Sequence, residues 1–88
     1  MKVLKRKGDI EDYDESKIVR VVSAAGLPDE EAKKLGADVT KEINGLKVET
    51  ISSLQIRDIV IEKLKEVDQR VADLFIWYQK TKEPKEDQ

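Results

Sequence analysis

Lys5-Arg6-Lys7-Gly8 places three cationic side chains and one residue without a Cβ in four consecutive positions. A polyphosphate needs that combination: charged donors for its oxygens, and backbone N–H groups that glycine leaves accessible. The same run also fits an edge hairpin whose charges simply face water and block edge pairing. Lys17 is the second unusual cation. If Asp14 caps a helix, Lys17 falls in its first turn, where the helix dipole disfavours a cation and welcomes an anion. A phosphate there would be drawn both by free N–H groups and by the ammonium; the plainer reading is a surface lysine beside Asp14 and Glu15. Ser53 opens a later helix, where its hydroxyl suits either a phosphate or simple capping.

Glu11, Asp12, Asp14 and Glu15 form an acidic cluster. Paired carboxylates can do acid–base work, but solvation, capping and hydrogen bonding to a ligand are the expected roles here. Ile10, Ile18 and Ile51 could line an apolar slot for a flat ring, although core packing would place them alike. Trp77 is expected in the core or at an interface. The 88 residues contain no Cys and no His, which excludes disulfides, thiolate nucleophiles and the commonest general base and transition-metal ligand. No Walker motif is present, so nucleotide hydrolysis ranks last among the functions considered.

The elements that must position these groups follow from local signals. Two short segments, Val3–Arg6 and Asp9–Tyr13, flank Lys7-Gly8 as a hairpin, with Gly8 supplying the positive φ of the turn. Ile18, Val21, Val22 and Ala25 repeat at helical spacing after Asp14, and Gly26 stops that helix. Pro28 suits the first turn of the next, whose face carries Ala32, Leu35, Val39 and Ile43 and which ends at Asn44-Gly45. Leu46–Thr50 alternates with period two and reads as a third strand. Ser52 and Gln55 form a capping box for a third helix carrying Ile56, Ile59, Val60, Leu64 and Val67. Asp68 caps a fourth, in which Val71, Leu74, Phe75 and Tyr78 share a face. The order ββααβαα predicts an α+β domain over residues 1–82, a small three-stranded sheet and hairpin capping a four-helix bundle. Residues 83–88 read as a polar tail.

Seventeen basic residues against 19 acidic ones leave a net charge of −2, so direct nucleic-acid binding is not expected. The opening residues lack the apolar stretch of a signal peptide, and no apolar run is long enough to span a membrane; a cytoplasmic protein is the expectation.

Four motifs in order resemble the ATP-cone family over nearly the whole chain. They are Val3-Leu4-Lys5-Arg6-Lys7-Gly8 with Ile10-Glu11; Asp14 followed by Lys17-Ile18; Ile51-Ser52-Ser53 running into Ile56-Arg57-Asp58-Ile59-Val60; and Val71-Ala72 leading to the basic end of the last helix. The resemblance implies a regulatory module that binds ATP or dATP, of the kind that controls ribonucleotide reductases and occurs in the zinc-ribbon repressors of their genes. It implies a phosphate-binding lysine at Lys5 with Arg6 and Lys7 beside it, and a glutamate near the adenine at Glu11. Asp14 and Lys17 match the residues that open the first helix, and Ser53 the hydroxyl that opens the third. A final basic residue is implied at Lys80 or Lys82. Val3, Gly8 and Ile18 lie inside the matched motifs and complete the candidate site. Magnesium would arrive with the triphosphate and need few protein ligands. No cysteine is present for a zinc ribbon, and 88 residues hold no reductase barrel. The implied action is ligand-dependent association with a second copy, a reductase or another regulator. The alternative is a protein-interaction domain of the same fold without the ligand, using Phe75 and Trp77 on the last helix.

Overall fold

A computed structural model describes residues 1–5 and 8–82 of the chain, the side chains of residues 80–82 excepted. The expected polar tail at 83–88 lies outside the described residues. The elements run in the expected order: β1 (Lys2–Leu4), β2 (Ile10–Asp12), α1 (Glu15–Ala24), α2 (Asp29–Gly45), β3 (Thr50–Ser52), α3 (Ser53–Val67) and α4 (Gln69–Lys82).

β1 and β2 pair antiparallel, with Val3 opposite Glu11 and Leu4 opposite Ile10. Gly8 takes φ +90°, a conformation that glycine adopts without steric cost, and its N–H reaches the Lys5 carbonyl at 2.9 Å. β3 joins the other edge of β1 in parallel, Val3 opposite Ile51, so the sheet order is β2-β1-β3. The parallel pairing needs a crossover, and α1 and α2 provide it.

Local chemistry sets the helix ends. Asp14 accepts from the Ser16 N–H at 3.0 Å, Ser52 from Gln55 N–H at 3.1 Å and Asp68 from Arg70 N–H at 3.0 Å. α1 closes with Gly26 at φ +118°, its N–H on the Ser23 carbonyl and the Leu27 N–H on Val22, the paired bonds of a Schellman motif. Pro28 sits one residue before α2, at its N-cap.

The third strand differs from expectation. Leu46–Thr50 alternates in polarity, but Leu46 and Lys47 form the exit turn of α2, their N–H groups bonding to Ile43 and Asn44 at 3.1 and 3.2 Å. The positive φ of that exit, +55°, falls on Lys47 and not on Gly45. Only Thr50–Ser52 pairs with β1, while Leu46 and Val48 stay exposed. Alternation reports only that side chains point to opposite sides; pairing also needs a strand within reach, and β1 is three residues long.

Val3 and Ile51 on the inner face of the sheet belong to the same core as Val22, Val39, Ile43 and Leu64. α4 adds Val71, Ala72 and Phe75. The shared face expected for α4 is only half buried: Leu74 is 54% and Tyr78 48% exposed, and Trp77, expected in the core or at an interface, is 65% exposed and outside the core. Among the described residues α4 packs mainly on α3 and touches α1.

Candidate functional site

Alternation along β1 and β2 sorts their side chains to two faces. Lys2, Leu4, Ile10 and Asp12 point outward, the first and last forming an ion pair. Val3, Lys5 and Glu11 point inward. The inward set meets α1: the two Glu11 carboxylate oxygens take different ammoniums, Oε2 that of Lys5 at 3.3 Å and Oε1 that of Lys17 at 3.4 Å. One carboxylate thereby ties both strands of the hairpin to the first turn of the helix. Desolvation pushes the Glu11 carboxyl up, but hydrogen bonds from Lys5 and Lys17 and their charges outweigh it, leaving the group below its usual value.

Beside Lys17 opens a groove of about 180 Å³, bounded by α1, α3 and α4. Its walls are apolar, formed by Ile18, Val21, Ile56, Val60 and Phe75; Lys17, Ser53, Arg57 and Gln79 supply the polar groups. Lys17 lies in the first turn of α1 and Ser53 opens α3, so two helix N-terminal turns contribute to the lining, and such turns favour an anion. Ser52 caps α3, and it is Ser53 that lines the groove. An apolar groove with cationic and hydrogen-bonding groups in its lining can take a flat ring and an anionic chain.

The candidate residues are thus distributed unevenly. Lys5, Glu11 and Lys17 converge by ion pairing, and Lys17, Ile18 and Ser53 share the groove. Asp14 caps α1; its side-chain bond from the Ser16 hydroxyl, its backbone bond from Ser16 and the nearby cations lower its carboxyl against a smaller desolvation effect. Val3 is 6% exposed, a core residue beneath the site. Gly8 shapes the turn. Arg6 and Lys7 lie outside the described residues, as do the side chains of Lys80 and Lys82, whose backbones follow Gln79 at the end of α4. Of the three isoleucines considered for an apolar slot, only Ile18 lines the groove: Ile51 is buried, and Ile10 is 62% exposed on the outer face of the sheet. Val21, Ile56, Arg57, Val60, Phe75 and Gln79 also line the groove and were not among the candidates. Their helical spacing was visible, but not which three helices share a cavity. The acidic cluster does not close on a cation site: among the described residues no three carboxylates are grouped to hold a metal ion.

A second groove, about 210 Å³, lies on the other side of Val21 and Phe75, which line both. Ala24, Ala25, Leu74, Trp77 and Tyr78 complete it.

The family model for the ATP cone domain matches residues 1–84. The chain belongs to the ATP-cone family. No curated protein is significantly similar to it in sequence. ATP-cones are regulatory, non-catalytic domains that bind adenine nucleotides, and this cone is a regulatory nucleotide-binding module. No described helix is long and apolar enough to cross a membrane.

Proposed function

We propose that this cone, residues 1–82 with a polar tail, binds ATP or dATP in the α1–α3–α4 groove and reports which nucleotide is bound by changing its association. The carrying observation is the convergence of Lys5 and Lys17 on one carboxylate, with Lys17 also lining the apolar groove. In this reading the base enters among Ile18, Val21, Ile56 and Phe75. The phosphates meet Lys5, Lys17 and Ser53, and Arg6, Lys7 and Lys80 or Lys82 are the further candidates for them. Magnesium comes with the triphosphate and keeps most of its waters. A groove wall of Val21 and Phe75 shared with the Trp77 groove supports the second half of the proposal. A ligand that shifts this wall also shifts the exposed surface of Leu74, Trp77 and Tyr78, where a second copy, a reductase or another regulator in the cytoplasm would dock.

The test is thermal. A ligand at 100 times its dissociation constant adds about 2.7 kcal/mol to stability, which raises Tm by roughly 10–20 °C in a domain this small. ATP and dATP should produce the shift, and GTP should not. Light scattering during gel filtration with each nucleotide then reads the association. The exposed aromatic surface of α4 favours one other reading, an interaction domain that binds a protein without nucleotide. Absence of any thermal shift, with partner binding retained, would select it.

A further inference from the structure

The candidate residues of the hairpin and of α1 lie on either side of one short junction. Glu11 precedes Tyr13 by two residues and Lys17 follows Glu15 by two, so the Tyr13-Asp14-Glu15 link between β2 and α1 sets how Lys17 faces the hairpin. Asp14 itself bonds within α1: its side chain accepts from the Ser16 N–H and its carbonyl from the Lys17 N–H. The link is anchored instead by one hydroxyl on α2. The Tyr13 hydroxyl lies 2.7 Å from Thr40 Oγ1, and Thr40 Oγ1 lies 2.6 Å from Glu15 Oε1. We infer that Thr40 is a positioning residue for the nucleotide site: it stands outside the groove lining, but it pins both neighbours of Asp14 and so holds Lys17 in place. The inference rests on the nucleotide reading of that site.

A proton count fixes the direction of the chain. Thr40 has one hydroxyl proton, and the Glu15 carboxylate can only accept it, so Tyr13 donates to the Thr40 oxygen. The Gly36 carbonyl, 3.0 Å from the same oxygen, competes for that proton. Giving it to Gly36 would set the lone pairs of Thr40 against the carboxylate, which favours the bond to Glu15. The Tyr13 backbone meanwhile stays with the sheet, its N–H on the Met1 carbonyl at 3.0 Å. Tyr13 thus joins the hairpin to α2, and Glu15 joins α1 to the same atom. Helical geometry carries the effect onward. Lys17 stands about 200° round the helix axis from Glu15, so holding Glu15 toward α2 turns Lys17 to the opposite side, where it meets Glu11 and lines the groove. The packing of α1 on α2 stabilises the helix, whereas the Thr40 hydroxyl fixes where its first turn stands.

Thr40→Val removes the hydroxyl and keeps the shape. The network is part-buried, so the freed groups can turn to water and the cone still folds. At a temperature where each protein is fully folded, affinity for ATP and dATP should fall roughly three- to thirtyfold, the range for residues that act on a site without touching its ligand. Thr40→Ser keeps the hydroxyl and should bind as the unaltered protein does. Ser23→Ala is the control: that hydroxyl also links α1 to α2, on Asp29 at 2.9 Å, but at the other end of α1, and its loss should leave affinity unchanged. Hydrogen exchange reads the junction without ligand, and in empty Thr40→Val the Ser16 and Lys17 amides should exchange faster. Normal affinity or unchanged exchange in Thr40→Val, or no recovery in Thr40→Ser, overturns the positioning role while the unaltered protein still binds ATP. If Thr40→Val fails to fold, Tyr13→Phe takes its place; it cuts one of the two links and should weaken binding by a smaller factor, and normal affinity there overturns the role as well. Failure of the unaltered protein to bind either nucleotide overturns the nucleotide reading, and with it any site for Thr40 to position.

Discussion

Helix α1 is packed in two different ways on its two sides. Toward α2 there is no slack. Gly36 faces Val19 so closely that an added Cβ would stand 2.7 Å from the Val19 Cγ2 and 3.4 Å from Glu15 Cγ. Val22, Ala32 and Val39 are fully buried, and Thr40 joins the two helices to the end of the hairpin: the Tyr13 and Thr40 hydroxyls are 2.7 Å apart, and Thr40 donates within reach of both Glu15, at 2.6 Å, and the Gly36 carbonyl, at 3.0 Å. Toward α4 the same helix borders two grooves that share Val21 and Phe75 in their walls, with Leu74, Trp77 and Tyr78 partly exposed. A chain of 88 residues cannot close every seam. This one places its close packing where the hairpin and α1 must be held and leaves space where a ligand can enter.

The largest expected effect lies on the closed side. Gly36→Leu forces a branched side chain into the Val19 contact, and overpacking of that kind costs about 3 kcal/mol, with a fall in Tm of roughly 12–24 °C. The folded fraction should bind nucleotide as before. Melting curves and binding on the same samples check both halves; a tolerated leucine would mean that the α1–α2 seam is as yielding as the other.

Lys5→Ala is the corresponding change at the open side. Hydrogen bonds between charged groups are worth about 1.5–3 kcal/mol, so triphosphate affinity should fall roughly 10- to 100-fold while stability stays within about 0.5 kcal/mol. Lys33→Ala, an exposed position on α2, should change neither. Equal effects at the two lysines in a calorimetric titration would return Lys5 to the role of a solvated hairpin charge.

Trp77→Ala on the open side is also expected to cost little stability. At 65% exposure the side chain contributes little to the core, and Tm should move by no more than a few degrees. Its loss should instead show in the mass measured by light scattering with nucleotide bound. A large drop in Tm would show that the α4 side is closed in solution, and the contrast between the two seams would disappear.

What could be read from the chain is what neighbours in sequence decide. Asp14, Ser52 and Asp68 cap because a short polar side chain meets N–H groups two or three residues on, and Gly8 and Gly26 take positive φ where L side chains rarely do. Those contacts need no knowledge of the fold, and neither does the convergence of cationic residues near one turn. The third strand slipped because Leu46–Thr50 has the right alternation and the wrong place: its first residues were needed to end α2, and pairing began only where β1 was within reach. Ile10 and Ile18 look equivalent as residue types; the two-residue period of β2 sends one to solvent, and the other lines the groove that α1 shares with α3 and α4. Lys5, Glu11 and Lys17 were each visible as candidates, but the bridge between them joins two strands and a helix. The sequence alone thus determined the helices, their ends and the supply of charge, because those depend on contacts a few residues apart. Which side of α1 closed and which stayed open was left to tertiary structure, because it depends on how much apolar surface three distant helices have to cover one another.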